Sequence, residues 1–345
     1  MSEEKKEMKK SSSPAKDLTV GSPMKLILGF AFPMFLGLLF QQFYSLVDTM
    51  IVGKYLGVDP FAGVGSTGSL NFIVIGFCMG LCSGFSVPIS QSFGAKDFPL
   101  LRKMVTNSVW LCTFFSVVIT TLMLLFCRPV LTWMNTPENI FEYAYIYIFI
   151  IFAGIPCTIL YNMTAAILRA LGDSKSPIIF LAISSAINIG LDLLFIQVFQ
   201  SGVAGAAIAT VISQAVAGIA CFIYIFTKCR FLIPEKDEFR VARADFNDLV
   251  QSALAMGFMS CIVNFGTVTL QSSINKLGTN IITAHTAARK IFDILDVVLY
   301  IIGNAVTTFV SQNLGAKRID RVKTGVRAGI IINTIATTII ILIGF

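Results

Sequence analysis

The sequence is poor in charge and nearly devoid of histidine. Only 13% of its 345 residues are charged, and His285 is the single histidine. Soluble domains carry about 25% charged residues, roughly twice the share found here. The chain also lacks an H-E-x-x-H pattern and a nucleophile next to a base. These absences argue against a soluble protein and against an intramembrane enzyme.

Apolar residues dominate instead. They make up 55% of the chain, and the mean hydropathy is +0.80. A bilayer core of ~30 Å is crossed by about 20 helical residues. Nine continuous runs meet that length: 26–52, 61–93, 105–127, 141–168, 178–199, 203–227, 249–274, 283–313 and 325–345. Within these runs apolar and polar residues do not alternate, as they would in the strands of a membrane β-barrel. The sequence therefore predicts an all-α polytopic membrane protein.

The eight cysteines do not suggest a metal site. Most lie inside apolar runs, at positions 78, 82, 112, 127, 157, 221, 229 and 261. Cys78 and Cys82 form a C-x3-C pair, but ligation would need further ligands and His285 is the only histidine. We interpret the cysteines as packing residues and expect no metal and no cofactor.

Basic residues mark the gaps between the runs. The net charge is +7, but its distribution favours membrane topology over a nucleic-acid partner. Alternate gaps and the N-terminal tail hold 21 Lys and Arg, whereas the other gaps hold only Lys54, Arg128 and Lys276. The bias predicts a cytoplasmic N-terminus. No cleavable signal peptide is visible, and residues 1–24 are expected to form a disordered cytoplasmic tail.

An internal repeat divides the chain. Ser90-Gln91 and Gly94-Ala95-Lys96 recur 221 residues later as Ser311-Gln312 and Gly315-Ala316-Lys317. Runs 1 and 2 therefore correspond to runs 7 and 8. Because six runs separate each pair, the repeats should be parallel about an axis along the membrane normal. We predict a first lobe at 25–228, a linker at 229–248 and a partial second lobe at 249–345, with three further spans expected in the complete protein.

Polar residues inside the runs are costly and need a reason. Run 1 places four on one helical face: Gln41, Tyr44, Ser45 and Asp48. Run 5 does the same with Ser185, Asn188 and Asp192. Rise per residue predicts that Asp48 and Asp192 share one level in the outer half. Two such carboxylates should not both ionise, so one holds a proton or a cation neutralises the pair. Hydrogen bonding that merely joins helices remains the alternative.

The second half has its own polar faces. Run 7 carries Ser260, Asn264, Thr267 and Gln271, and run 8 carries His285, Arg289, Asp293 and Asp296. The run 8 face is either a neutralised polar seam or a second ion or substrate site, and His285 is also a candidate proton carrier. A substrate cavity is predicted at Gln41, Tyr44, Ser45, Asn264, Gln271, Asp293 and Asp296. Pro33, inside run 1, should weaken the helix and permit a gating bend.

Over nearly all of residues 24–345 the sequence resembles the multidrug and toxic compound extrusion (MATE) family. The resembling elements, in order, are Pro33-Met34, Asp48-Thr49, Val52-Gly53, Gln91, Gly94-Ala95-Lys96, Leu168-Arg169, Gly172-Asp173, Asn188, Asp192, the 202–207 segment and Ala209-Thr210. The resemblance implies twelve helices in two lobes, of which the last three spans are absent here. It also implies an ion site at Asp48, Asn188, Asp192 and Thr210.

The predicted function is a H⁺- or Na⁺-coupled antiporter that exports amphipathic, often cationic drugs or metabolites by alternating access. A lipid-linked oligosaccharide flippase is the alternative, although the first-lobe runs carry acids and few basic residues. A channel fits the two-lobe repeat less well. The expected partners are a small-molecule substrate and the lipid bilayer, without nucleic acid. We expect a multi-pass monomer in the plasma membrane.

Overall fold

The computed structural model describes residues 15–235, 238–239, 242–274 and 279–344, and their side chains except 44–46, 49, 268, 271–272, 279–296 and 343–344. The described chain is helical and contains no strand. Its α-helices are α1 (Pro23–Leu56), α2 (Val58–Ser66), α3 (Gly68–Ala95), α4 (Phe98–Trp133), α5 (Glu138–Ala153), α6 (Ile155–Ala170), α7 (Ser176–Leu193), α8 (Gly202–Lys228), α9 (Arg243–Ile274), α10 (Thr279–Gly315) and α11 (Ile319–Gly344).

The helices coincide with the predicted membrane spans. In the described chain, eight helices are long and apolar enough to cross a bilayer, and the bent pair α5 and α6 makes a ninth. The all-α, polytopic membrane class is therefore confirmed. Run 2 corresponds to α2 and α3, which are separated at Thr67, and run 7 begins earlier than predicted, at Arg243.

Two proline positions behave differently. Run 4 bends by 46° between α5 and α6. Pro156 lies in the first turn of α6 and lacks the N–H that would continue the helix, which explains the break. In contrast, α1 runs without interruption through Pro33. The predicted gating bend at Pro33 stays a prediction.

The first six spans pack as one bundle. Helix α7 packs against α1 and α8, α8 packs against α5 and α6, and α3 packs against α4 and α6. Large side chains fill the centre and exclude solvent, among them Phe85, Leu101, Ile148, Phe152 and Leu168. The predicted boundaries of the two lobes stay predictions, although this packing agrees with a first lobe formed by spans 1–6.

Contacts between the two repeats are reciprocal. Helix α1 packs against α10, and α3 packs against α9. Because the first and second spans correspond to the seventh and eighth, these two contacts join equivalent pairs of helices from the two repeats. The glycines agree: a Cβ on Gly94 would overlap the Gln312 carbonyl, and one on Gly315 would overlap the Gln91 carbonyl. A two-fold axis between the repeats produces this exchange of partners.

The same helix end occurs in both repeats. Lys96 and Lys317 are left-handed, with φ of 59° and 56°. In each repeat this lysine donates its backbone N–H to the last turn of the helix. Lys96 N donates to Phe93 O at 3.1 Å, and Lys317 N donates to Leu314 O at 2.9 Å. This is the αL helix termination that satisfies the last free carbonyls. We name the end of the bundle that contains residues 15–22, 95–98, 171–175 and 316–318 the basic end.

The expectation of a disordered tail over residues 1–24 is wrong for residues 15–24, whereas residues 1–14 lie outside the described chain. Leu18 and Thr19 are only 1% and 2% exposed. Leu18 N donates to Gln312 Oε1 at 2.9 Å, and Lys16 N donates to Leu171 O at 2.8 Å. The segment thus joins both repeats at the basic end. The partners of these two backbone N–H groups lie 155 and 294 residues away along the chain, so a local sequence pattern does not reveal them.

The linker between the repeats is tied to α4. Arg102 donates to both carboxylate oxygens of Glu238, at 2.6 and 2.8 Å, and both residues are buried. This two-point geometry is the strongest that an arginine and a carboxylate form. It fixes the linker against the basic end of the first six spans.

Candidate functional site

Helices α1 and α7 bring two acids together. The carboxyl groups of Asp48 and Asp192 lie within interaction range of each other. Asp192 is fully buried and Asp48 is half-buried. The periodicity of runs 1 and 5 predicted this approach, because each acid follows a polar face that must turn away from lipid.

The site contains buried polar atoms without hydrogen-bond partners. Among the described residues, no hydrogen-bond partner meets Asp48 Oδ1, either carboxylate oxygen of Asp192, or Asn188 Oδ1 and Nδ2. Asn188 is 1% exposed and lies one helical turn before Asp192. Buried polar groups are normally satisfied, and those left unsatisfied at one place need an explanation such as an ion or proton. Carboxylate and amide oxygens are ligands that suit hard cations.

Two further predicted residues are placed differently. Ser185 is buried, but its hydroxyl donates to Leu181 O at 2.8 Å within its own helix. Thr210 lies on the wall of the central cavity, and its carbonyl accepts from Ser213 Oγ at 2.9 Å. Its membership of the ion site stays a prediction.

A cavity of about 830 Å³ lies between the repeats. Its wall combines uncharged polar side chains with methionines and aromatic rings. The polar members are Gln41, Gln42, Asn71, Ser83, Thr158, Thr210, Gln214, Ser260, Asn264, Asn304 and Thr307, and the larger apolar and aromatic members are Phe72, Met79, Tyr147, Met256, Met259 and Tyr300. None of the described residues that line this cavity is charged.

Small residues let α3 and α9 approach closely along the cavity. A Cβ on Gly80 would lie 2.6 Å from Met256 O, and one on Gly257 would lie 2.8 Å from Phe77. The amide of Asn264 donates to Phe72 O at 3.0 Å. Close approach through glycine is a common way for membrane helices to pack.

The structure places two predicted cavity residues, Gln41 and Asn264, on this wall. The side chains of Tyr44, Ser45, Gln271, Asp293 and Asp296 lie outside the described residues, as do those of His285 and Arg289. The roles of all of these residues stay predictions.

Several cavity residues were not predicted. Gln42, Asn71, Gln214 and Asn304 are polar residues inside apolar runs, so the rule that selected Gln41 could have found them. The methionines and tyrosines carry no such signal, because they occur equally in lipid-facing and packed positions. Among the described residues, no group of three or more His, Cys, Asp or Glu is arranged to hold a metal ion.

Comparisons with known proteins identify relatives of this chain. The MatE family profile matches residues 33–194 and 255–345. The probable multidrug resistance protein YoeA of Bacillus subtilis is 31% identical over 91% of this chain and 69% of its own length. A FAD transporter of Shewanella oneidensis is 23% identical over 87% of this chain and 67% of its own length.

A solved structure of a MATE transporter in an outward-facing conformation superposes with a TM-score of 0.88. It is 25% identical, and the match covers 95% of this chain and 73% of that chain. The chain belongs to the MATE family of multidrug transporters, as the order of its motifs indicated. It is a multi-pass membrane protein of that family.

Proposed function

We propose that the protein is an antiporter that couples inward movement of H⁺ or Na⁺ to export of amphipathic compounds. The observation that carries the proposal is the acid pair of half-buried Asp48 and fully buried Asp192, whose oxygens beside Asn188 are unsatisfied. Multidrug relatives such as YoeA support a drug or toxin as substrate.

The acid pair has two states of different charge. Two neighbouring carboxylates that are buried away from water disfavour each other's ionisation, and desolvation disfavours both. A proton or a sodium ion relieves both costs. Asp48, Asp192 and the Asn188 amide oxygen would hold the ion, and binding would lower the cost of keeping α1 and α7 together. Release of the ion restores the repulsion and favours a different arrangement of these helices.

The cavity and the basic end supply the other parts of alternating access. The basic end is closed by the reciprocal crossing at Gly94 and Gly315 and by the segment at 16–21. A cavity of about 830 Å³ is large enough for a drug-sized molecule. Export requires the basic end to open to load substrate and to close before release. The similarity to an outward-facing MATE structure supports the closed state of this end.

Orientation and location complete the proposal. The concentration of Lys and Arg at the basic end supports a cytoplasmic position for it, and therefore for the N-terminus. We propose that the protein is a monomer of the plasma membrane. Amphipathic cations remain within the proposed substrate range, because the carboxylates of Asp293 and Asp296 belong to the same polar face of run 8.

The test uses the full-length gene product in cells that accumulate a fluorescent amphipathic dye. Asp48→Asn and Asp192→Asn should each abolish gradient-driven export, because a neutral amide cannot change charge when the ion leaves. Expression and thermal stability should remain near wild type. Asp59→Asn makes the same change at an exposed position and should leave export unchanged.

Collapse of the proton gradient and removal of sodium, applied separately, identify the coupling ion. Export at wild-type rate by both Asp48→Asn and Asp192→Asn would assign the pair to helix packing alone. Attention would then move to Asp293 and Asp296. Uptake of dye down its own gradient, without dependence on either ion, would favour a channel.

A further inference from the structure

One charged side chain reaches the space between the repeats. Arg169 lies in the last turn of α6, half-buried, and lines two smaller cavities of about 20 and 130 Å³. The larger of these shares wall residues with the central cavity, including Gln41, Ser83 and Asn304. Arg169 therefore lies where the central cavity narrows toward the basic end.

The direction of Arg169 follows from the helix that carries it. Thr158, Asn162, Ala166 and Arg169 occur at steps of four, four and three residues, which places them on one face of α6. Thr158 lines the central cavity, and the other three line the smaller ones. Arg169 is thus the last residue of the cavity-facing stripe.

Arg169 has no counter-ion within the described chain. No described carboxylate lies within ion-pair distance of its guanidinium. Asp173, four residues later, accepts instead from the backbone N–H groups of Lys175 and Ser176, at 3.0 and 3.1 Å. A position near a helix C-terminus makes a positive charge tolerable. It does not explain why the charge faces a cavity rather than water.

The surroundings suit an oxyanion. A guanidinium offers a planar fork of donors that matches carboxylate and phosphate. Ser83 and Asn304 line the same small cavities. Ser83 can add a hydroxyl donor, and Asn304, whose Nδ2 donates one hydrogen to Tyr300 O at 2.9 Å, has a second amide hydrogen to offer. Above them, Met79 and Tyr300 present polarisable apolar surface of the kind that packs against planar rings.

We propose that Arg169 binds the anionic group of an organic substrate, so that the transporter accepts amphipathic acids with a planar body and a carboxylate or phosphate. This inference rests on the proposed export function and names one substrate class for it. The planar body occupies the uncharged central cavity, and the oxyanion lies against Arg169. Arg169 lies on the side of the central cavity that faces the basic end, through which the substrate is proposed to load.

The test measures binding by fluorescence polarisation to the purified full-length transporter in detergent, without an ion gradient. Flavin mononucleotide and riboflavin share one ring system and differ by a phosphate, and carboxyfluorescein represents the carboxylates. The wild type should bind flavin mononucleotide at least about tenfold more tightly than riboflavin, as expected for charged hydrogen bonds. Arg169→Gln should remove this preference and change riboflavin affinity by less than about twofold.

Two further variants distinguish a loss of the guanidinium's binding contacts from a general effect of removing an arginine. Arg169→Lys keeps the charge without the fork and should retain part of the preference. Arg327→Gln removes an exposed arginine from α11 and should change nothing. The proposal is overturned if the wild type binds neither anion, if it does not prefer flavin mononucleotide to riboflavin, or if Arg169→Gln weakens all probes equally.

These outcomes are independent of coupling. Asp48→Asn should still bind the preferred anion, because the acid pair does not line the small cavities. Normal export by both Asp48→Asn and Asp192→Asn would contradict the proposed function and leave the binding result standing. Unchanged anion binding by Arg169→Gln would contradict only the substrate site.

Discussion

The reciprocal glycines at the basic end allow a quantitative prediction. A Cβ at Gly94 would overlap the backbone of Gln312, and a Cβ at Gly315 would overlap the backbone of Gln91. A backbone carbonyl cannot swing away as a flexible side chain can. Gly94→Ala or Gly315→Ala should therefore push the two repeats apart at this end.

The size of the effect follows from packing. Forcing an extra carbon into a well-packed contact costs about 1–3 kcal/mol. Alanine is also favoured over glycine inside a helix by about 0.5–1 kcal/mol, in every state where the helix persists. The first cost applies only to the closed form. Each variant should thus shift the equilibrium from closed to open basic end by roughly 5- to 150-fold.

Distances across the basic end measure this shift. Spin labels at the exposed positions Lys175→Cys and Arg327→Cys report on the first and second repeat. Cys157 and Cys261, the described cysteines that are not buried, are first replaced by serine. Electron–electron double resonance should show a larger long-distance population in both glycine variants than in the parent.

The control and the symmetry make the prediction strict. Gly29→Ala adds a Cβ that meets no atom within 4 Å and should leave the distance distribution unchanged. Because Gly94 and Gly315 make equivalent contacts in the two repeats, their alanine variants should change the distance distribution by similar amounts. A shift in only one of them, or a response equal to that of Gly29→Ala, would refute the role assigned to this crossing.

Two more predictions concern the linker and the orientation. Arg102→Ala should lower the free energy of unfolding by about 3–5 kcal/mol, because it leaves the Glu238 carboxylate buried without its ion-pair partner. Glu235→Ala, which removes an exposed partner of Arg102, should lower the free energy of unfolding far less. Hydrogen bonds from Arg102 lower the pKa of Glu238. In thermal melts the contribution of the pair should therefore be complete above the ordinary pKa of a glutamate and be lost as the pH falls through the lowered pKa of Glu238. An equal melting temperature for Arg102→Ala and wild type at pH 7 would contradict this. A membrane-impermeant thiol reagent applied to cells should label Lys54→Cys and not Lys175→Cys, and the opposite pattern would reverse the proposed orientation.

The helices were predictable because lipid imposes a simple rule. A segment that crosses the bilayer must satisfy its own backbone and must be apolar for about 20 residues. The nine runs therefore marked nine spans. The same rule made buried polar residues conspicuous, so Asp48, Asn188 and Asp192 could be selected before any contact was known.

Other features depended on contacts between distant residues. The repeat at Gly94 and Gly315 was visible as a motif, but its meaning was not. Only the tertiary structure showed that each glycine lies on the other repeat's backbone. Likewise, the polar sequence before α1 was predicted to be a free tail. Leu18 is nevertheless buried, and its backbone bonds to Gln312 and Asn313, which lie 294 and 295 residues further along the chain.

The sequence by itself determined the membrane class, the number of spans, the parallel repeat and the acids of the candidate ion site. Each of these follows from the local chemistry of an apolar solvent or from a motif copied along the chain. The tertiary structure decided which residues form the wall of the cavity and how the basic end closes. Those features depend on contacts between residues up to 303 positions apart, such as the Arg321 guanidinium and the Leu18 carbonyl, and no local rule of composition or periodicity specifies such pairs.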